Sequence, residues 1–189
     1  MPALAGRAPS VWGLLQRAAA DHPDREGFVD ETHRWTFGRF AANAESFAAG
    51  LRKRFSVQKG ERVAVLMETG VPYVLALFGV SGAGAVSVPL NSRFTVEELS
   101  YEVENSGSRV LIVDEAFVET VRENRGRFRA VEHMVVVGEV DFPEAVPLQE
   151  LMAEGAEAGV PPVRPDENDL VMVLYTSGTT GFPKGAMLT

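Results

Sequence analysis

Four short, continuous runs of aliphatic residues constrain the fold of this chain more than any other feature of its sequence. They are Val63–Met67, Val110–Val113, Met134–Val137 and Leu170–Tyr175, and a weaker fifth run covers Ala85–Val88. None of them alternates strictly between apolar and polar residues, and most are rich in β-branched side chains. Such runs are typical of strands that are covered on both faces, as in a parallel sheet.

Helical patterns lie between these runs. Apolar residues recur at i, i+4, i+7 and i+8 spacing within Phe40–Phe55, and Thr36 can cap the helix that they predict. A second helix opens with a capping box, formed by Thr95 and Glu98, and ends near Gly107. Strands and helices that alternate at short spacing predict a layered α/β domain with a mostly parallel sheet flanked by helices.

Smaller elements complete this prediction. Ser10 is expected to cap an N-terminal helix, and another short helix follows Asp114. Phe28–Val29 and Trp35–Phe37 flank a polar turn and predict a small hairpin. The segment 154–169 is rich in proline, glycine and acidic residues, so we expect it to cross the surface like a linker.

The composition excludes several classes of function. Of the 189 residues, 46% are hydrophobic and 23% are charged, which is typical of a globular protein. The formal net charge of -8 argues against a broad basic face, so we expect no nucleic-acid partner. The absence of cysteine excludes disulfides and cysteine-ligated metals. The first residues lack a signal-peptide pattern, and we expect a cytoplasmic protein.

One uncharged stretch, Thr69–Ser92, is long enough to raise the question of a membrane span. Pro72 and Pro89 lie within it, and Gly82 and Gly84 divide it into two pieces. We therefore expect a buried helix followed by a buried strand, and no transmembrane segment.

The end of the chain carries the strongest functional signal. A predicted buried strand ends at Tyr175 and runs into a glycine-rich loop, 175–185, where ligands of open α/β sheets bind. Glycines let successive backbone N–H groups point into one concavity, and hydroxyls and a lysine add donors and charge, so a phosphate is the expected ligand. The predicted contact residues are Thr176, Ser177, Gly178, Thr179, Thr180, Gly181 and Lys184.

Two common motifs do not explain this loop. The usual phosphate-binding loop requires Gly-Lys-Ser/Thr, whereas Pro183 precedes the lysine here and Gly185 follows it. A nucleophile elbow requires glycine where Tyr175 stands. Without the lysine and the position at a strand end, a plain surface loop would be the better interpretation. His22, His33 and His133 lack metal-ligand spacing, so we expect no metal site within the chain.

The contiguous stretch YTSGTTGFPKG closely resembles the phosphate-binding signature of adenylate-forming enzymes. That family includes acyl-CoA synthetases, firefly luciferase and the adenylation domains of peptide synthetases. The upstream stretches WTFGRFAANAESFAAGL and KGERVAVLMETGVPYVLALFGV are similar to the opening region of the family's acyl-CoA ligase branch. The resemblance covers roughly Ser10 to Thr189.

The resemblance implies a function. A carboxylic acid would attack the α-phosphate of Mg²⁺-ATP, pyrophosphate would leave, and coenzyme A would take the acyl group from the acyl-adenylate, as in fatty acid metabolism. The family's acyl pocket, catalytic lid lysine and C-terminal lid domain have no counterpart in 1–189. The resemblance therefore implies an incomplete N-terminal portion of the AMP-binding domain, without catalytic residues of its own and inactive in isolation.

Two alternatives remain open at this stage. One is a nucleotide-binding or interaction module that keeps the loop but has lost the chemistry. The other is an adenylation domain that feeds a carrier protein instead of coenzyme A. The sequence also leaves open which carboxylic acid is activated and whether the protein is a homodimer.

Overall fold

The computed structural model describes residues 10–161, 163, 165–166, 168–176 and 183–189. Its helices are α1 (Val11–Asp21), α2 (Phe37–Phe55), α3 (Val71–Gly82), α4 (Val96–Ser106), α5 (Val118–Glu123) and α6 (Leu148–Ala158). Its strands are β1 (Glu26–Val29), β2 (Arg34–Thr36), β3 (Arg62–Leu66), β4 (Val86–Pro89), β5 (Val110–Asp114), β6 (His133–Val137), β7 (Val146–Pro147), β8 (Met172–Thr176) and β9 (Lys184–Leu188).

The predicted fold class is confirmed. Within the described residues, seven strands form one sheet in the order β7-β6-β5-β3-β4-β8-β9, and all neighbours are parallel except β8 and β9. The five aliphatic runs correspond to β3, β5, β6, β8 and β4. β1 and β2 form the separate antiparallel hairpin that the sequence predicts.

The central strands are buried on both faces, which explains why their sequences do not alternate. Val63, Val65, Val110 and Ile112 face one core cluster, which also includes residues of α1, α2, α3 and α6. The neighbouring residues of the same strands face a second cluster with residues of α4 and α5. A strand with helices on both sides gains from apolar residues at every position.

The predicted helix caps are also confirmed. The Thr36 hydroxyl accepts a hydrogen bond from the Arg39 N–H, and Ser10 caps α1 in the same way. Thr95 and Glu98 form the reciprocal capping box of α4, and Gly107 ends that helix in the left-handed conformation with φ 66°. Each cap satisfies backbone groups that have no partner within the helix.

Helices α2 and α6 cross in close contact because glycines face each other at the crossing. A Cβ atom on Gly155 would lie 1.9 Å from the Ser46 carbonyl oxygen, and one on Gly50 would lie 2.2 Å from the Leu151 carbonyl oxygen. The segment predicted to cross the surface, 154–169, overlaps the end of α6, because residues 154–158 are helical.

The connection between β8 and the rest of the sheet is narrow. β8 pairs with β4 at a single register position, Ser87 opposite Met172. In contrast, five consecutive pairs join β8 to β9. β8 and β9 thus form a two-stranded ribbon at the end of the sheet.

The uncharged stretch Thr69–Ser92 forms α3 and β4, as the sequence predicts. Among the described residues, no helix combines the length and the apolar character that a membrane span requires.

Candidate functional site

The glycine-rich loop connects the two strands of the β8–β9 ribbon. Thr176 is the last residue of β8 and Lys184 is the first residue of β9, and the two are partners in the antiparallel register. These are the predicted contact residues that the structure describes. The other predicted contacts lie outside the described residues: Ser177, Gly178, Thr179, Thr180 and Gly181.

The antiparallel pairing brings a hydroxyl and an ammonium group together. Directly opposite residues of two antiparallel strands have Cβ atoms about 5 Å apart and place their side chains on the same face. Thr176 and Lys184 are both exposed, so their donors are open to a ligand. Because β8 is parallel to β4, this pair stands at the carboxyl edge of the sheet, where open α/β sheets bind ligands.

The residue after the lysine must be small. Gly185 lies opposite Tyr175 in the register, and a Cβ atom on it would be 2.7 Å from Val173 Cγ1 and 3.3 Å from Tyr175 Cζ. The Tyr175 ring therefore lies across the Gly185 backbone. This packing explains why glycine stands where a conventional phosphate-binding loop has serine or threonine.

Tyr175 connects the base of the loop to helix α4. Its hydroxyl donates a hydrogen bond of 2.7 Å to Asn105 Oδ1 at the end of that helix. Burial raises the pKa of the Tyr175 hydroxyl, which keeps it a neutral donor. This contact joins residues 70 positions apart, and the sequence contains no local signal for it.

A buried carboxyl group on the same helix lies near this anchor. Glu102 is fully buried, and neither of its carboxylate oxygens has a hydrogen-bond partner among the described residues. Burial, with a smaller contribution from the charge of Glu98, raises the pKa of Glu102 to about 7. The negative charge of Glu102 in turn contributes to the raised pKa of Tyr175.

The histidines occupy structural positions. His33 Nδ1 lies 3.0 Å from Asp30 Oδ1, and the His133 ring stacks on Phe55 with centroids 4.6 Å apart. Within the described part of the chain, no group of three or more His, Cys, Asp or Glu side chains could hold a metal ion.

The sheet is mostly parallel, and a loop that contains glycine, threonine and lysine follows one of its strands. These features are typical of the class of α/β domains that bind nucleotides at the carboxyl edge of the sheet. Within that class, the chain belongs to the family of AMP-binding enzymes, whose family model matches residues 15–189. The resemblance to adenylate-forming enzymes is thereby confirmed.

Curated relatives agree with this assignment. The chain is 30% identical to the long-chain-fatty-acid–CoA ligase of Haemophilus influenzae, over 95% of this chain and 36% of that protein. It is 32% identical to the long-chain-fatty-acid–CoA ligase of Thermus thermophilus, over 94% of this chain and 33% of that protein. The chain thus spans about a third of the length of these relatives.

A solved structure shows the same architecture. The crystal structure of an anthranilate–CoA ligase in complex with anthranoyl-AMP superimposes with a TM-score of 0.86 at 26% identity. The match covers 93% of this chain and 34% of that chain.

Proposed function

We propose that this chain is the part of an ATP-dependent, AMP-forming acid–thiol ligase that holds the phosphates of ATP. A carboxylate oxygen attacks the α-phosphorus of ATP, the bond to the bridging oxygen of pyrophosphate breaks, and an acyl-adenylate forms. The thiol then loses its proton, its sulfur attacks the acyl carbon, and the bond between that carbon and the phosphate oxygen of AMP breaks. The observation that carries this proposal is the Thr176–Lys184 pair at the carboxyl edge of the sheet, in a chain of the AMP-binding family.

The role of the loop follows from the chemistry of the first step. Negative charge accumulates on the leaving pyrophosphate, and donors aimed at that position stabilise the transition state. We propose that the Lys184 ammonium supplies the positive charge and that the Thr176 hydroxyl donates beside it. Ser177, Gly178, Thr179, Thr180 and Gly181 are proposed to complete the contacts through hydroxyls and backbone N–H groups. Mg²⁺ enters this proposal as part of the Mg²⁺-ATP substrate.

The proposed thiol is coenzyme A and the proposed acid is a fatty acid, because the relatives from Haemophilus influenzae and Thermus thermophilus are long-chain-fatty-acid–CoA ligases. A carrier-protein thiol is the second candidate acceptor. We also propose a cytoplasmic location, with which the cysteine-free composition is compatible.

Exchange of labelled pyrophosphate into ATP measures the first step alone. In the full-length protein, Lys184→Ala should slow this exchange by about a hundredfold, the effect of losing one preorganised charge partner. Lys53→Ala is the matched control, because Lys53 is also an exposed lysine but lies on α2, outside the loop. Its ammonium group donates a hydrogen bond of 3.3 Å to the Glu154 carbonyl oxygen. Equal exchange rates in the parent and in Lys184→Ala would refute the proposed role.

The acid and the acceptor are tested separately. A series of fatty acids and aromatic acids in the exchange assay should show a preference for fatty acids, and coenzyme A should convert the adenylate to a thioester. A protein that binds ATP but exchanges no pyrophosphate with any acid would favour the non-catalytic module instead.

A further inference from the structure

A cleft of about 630 Å³ lies at the same edge of the sheet, away from the loop. Its apolar floor consists of the buried side chains of Met67, Leu75, Val137 and Leu148. Trp35 lines one wall. Sites for small molecules typically have volumes of 300–1,000 Å³, with a mostly apolar lining and a few polar groups.

The cleft occupies the topological switch point of the sheet. β3 continues through α3 to β4 on one side, whereas its other neighbour, β5, continues through α5 to β6 on the opposite side. The two connections diverge and leave a crevice beyond the carboxyl ends of β3 and β5. Ligands of open α/β sheets bind in such crevices. β4 separates β3 from β8, so the cleft is centred at least two strands, or about 10 Å, from the strand that carries the loop.

The rim of the cleft is acidic. Asp30, Glu68, Asp114 and Glu115 line it, and among the described residues of the lining His33 is the one basic side chain. His33 is already engaged with Asp30, because its Nδ1 lies 3.0 Å from Asp30 Oδ1. The arrangement repels anions such as a triphosphate or a carboxylate and favours a cation.

Two of the rim carboxylates are held in place by the backbone. Asp30 accepts hydrogen bonds from the N–H groups of Thr32, His33 and Val71, at 2.9, 2.6 and 2.8 Å. The bond from Val71, with further help from the other backbone donors and His33, lowers the pKa of Asp30, so this carboxylate stays ionised.

The backbone also fixes Asp114, although burial, together with the charges of Glu68 and Glu115, raises the pKa of this carboxyl group. Its carboxylate accepts hydrogen bonds from the Glu68 N–H at 2.6 Å and from the Ala116 N–H at 3.2 Å. The Glu68 bond ties the chain after β3 to the end of β5, so the two sides of the crevice are held together. The exposed side chains of Glu68 and Glu115 complete the rim at its outer edge.

From this geometry we propose that the cleft is a binding site for a small organic cation, a primary amine with an apolar body, which is separate from the phosphate loop. The apolar body lies on the floor formed by Met67, Leu75 and Val137. The ammonium group lies at the rim, among the carboxylates. The site is independent of the proposed ligase reaction and takes a ligand of the opposite charge to its substrates.

Three probes with the same six-carbon tail separate charge from apolar contact. They are n-hexylamine, hexan-1-ol and hexanoate, each titrated into the ¹⁵N-labelled full-length protein at pH 7. The reporters are the backbone amides of Gly70 and Gly138, which both line the cleft. We expect saturable shifts at both amides with hexylamine, clearly weaker binding of hexanol, and no shift at these amides with hexanoate.

Variants test the location and the charge. Glu68→Gln and Glu115→Gln should each weaken hexylamine binding about fivefold, the factor that one opposite charge at 4 Å gives in water. Ala116→Phe places a large ring at the mouth from an exposed position and should abolish the shifts. Glu123→Gln removes an exposed carboxylate on α5 outside the lining and should change nothing. An unchanged circular dichroism spectrum shows that each variant is folded.

The outcomes are decisive in both directions. Hexylamine shifts that are lost in Ala116→Phe and weakened in the two Glu→Gln variants support the proposal. Equal binding of hexanol and hexylamine, hexylamine binding that survives both Glu→Gln changes together, or no saturable shift at Gly70 and Gly138 overturns it. None of these results depends on ligase activity. The amine site can therefore be refuted while the proposed ligase function stands, and the ligase function can be refuted while the amine site stands.

Discussion

Replacing Glu102 by glutamine should make the stability of the protein less dependent on pH. Glu102 is fully buried without a partner for its carboxylate oxygens among the described residues, and its pKa is raised from 4.5 to about 7. Below pH 4.5 the carboxyl group is protonated in both the folded and the unfolded chain, so it adds no pH dependence there. Between pH 4.5 and pH 7 the unfolded chain loses this proton while the folded chain keeps it.

The size of the effect follows from the shift in pKa. Each pKa unit corresponds to about 1.4 kcal/mol. A shift from 4.5 to about 7 therefore lowers the free energy of unfolding by about 3 kcal/mol as the pH rises through this window, and the loss is complete above pH 7. Glutamine has nearly the same shape but no titratable proton, so Glu102→Gln removes this term from the pH dependence.

Urea unfolding at pH 5 and at pH 8 measures the effect. The difference in unfolding free energy between Glu102→Gln and the parent should shift by about 2–3 kcal/mol in favour of the variant from pH 5 to pH 8. Comparing the same variant at two pH values cancels the cost of burying the amide. Glu123→Gln removes an exposed carboxylate and should show a constant difference. A difference between Glu102→Gln and the parent that stays constant within about 0.5 kcal/mol would refute the reasoning.

Three further predictions concern packing, the loop anchor and the isolated chain. Gly155→Ala should lower the free energy of unfolding by at least about 2 kcal/mol in urea, because its Cβ atom would overlap the Ser46 carbonyl oxygen, whereas Gly126→Ala has open space and should cost far less. Tyr175→Phe should cost about 1 kcal/mol and slow pyrophosphate exchange, and combining it with Asn105→Ala should add almost nothing; full additivity would exclude the proposed anchor. The 189-residue chain alone should exchange no pyrophosphate above background with ATP and fatty acids, and measurable turnover would contradict the proposed division of roles.

The parts of the fold that could be predicted are those with a strong local pattern. β3, β5 and β6 are buried on both faces, so their sequences are continuous aliphatic runs, and the capping box of α4 is a reciprocal local contact. β9 could not be predicted, because all five of its residues are exposed and its pairing with β8 is what makes it a strand.

Helix α6 could not be predicted for a different reason. It buries only Leu148, Leu151 and Gly155, a narrow stripe that includes a residue of low helix propensity. Gly155 is needed because α6 crosses α2 there with almost no space between the backbones. A contact between distant segments thus selects a residue that a local pattern counts against a helix.

The candidate site shows the same division. The loop contacts are predictions from residue chemistry, whereas the pairing of Thr176 with Lys184 depends on β9 and could not be predicted. The acidic cleft combines residues from the β1–β2 hairpin, from the ends of β3, β5 and β6, and from α6. Its members are scattered along the sequence and share no spacing, so only the folded chain brings them together.

The single register pair between Ser87 and Met172 means that β8 is paired less extensively with β4 than with β9. The register has one pair between β8 and its parallel neighbour and five between β8 and β9. We therefore expect thermal fluctuations to separate the two strands from the sheet together, before they separate from each other. Thr176 and Lys184 would travel together in that motion and keep their mutual spacing. The spacing within the Thr176–Lys184 pair is therefore expected to be better defined than the position of the pair relative to the parallel strands.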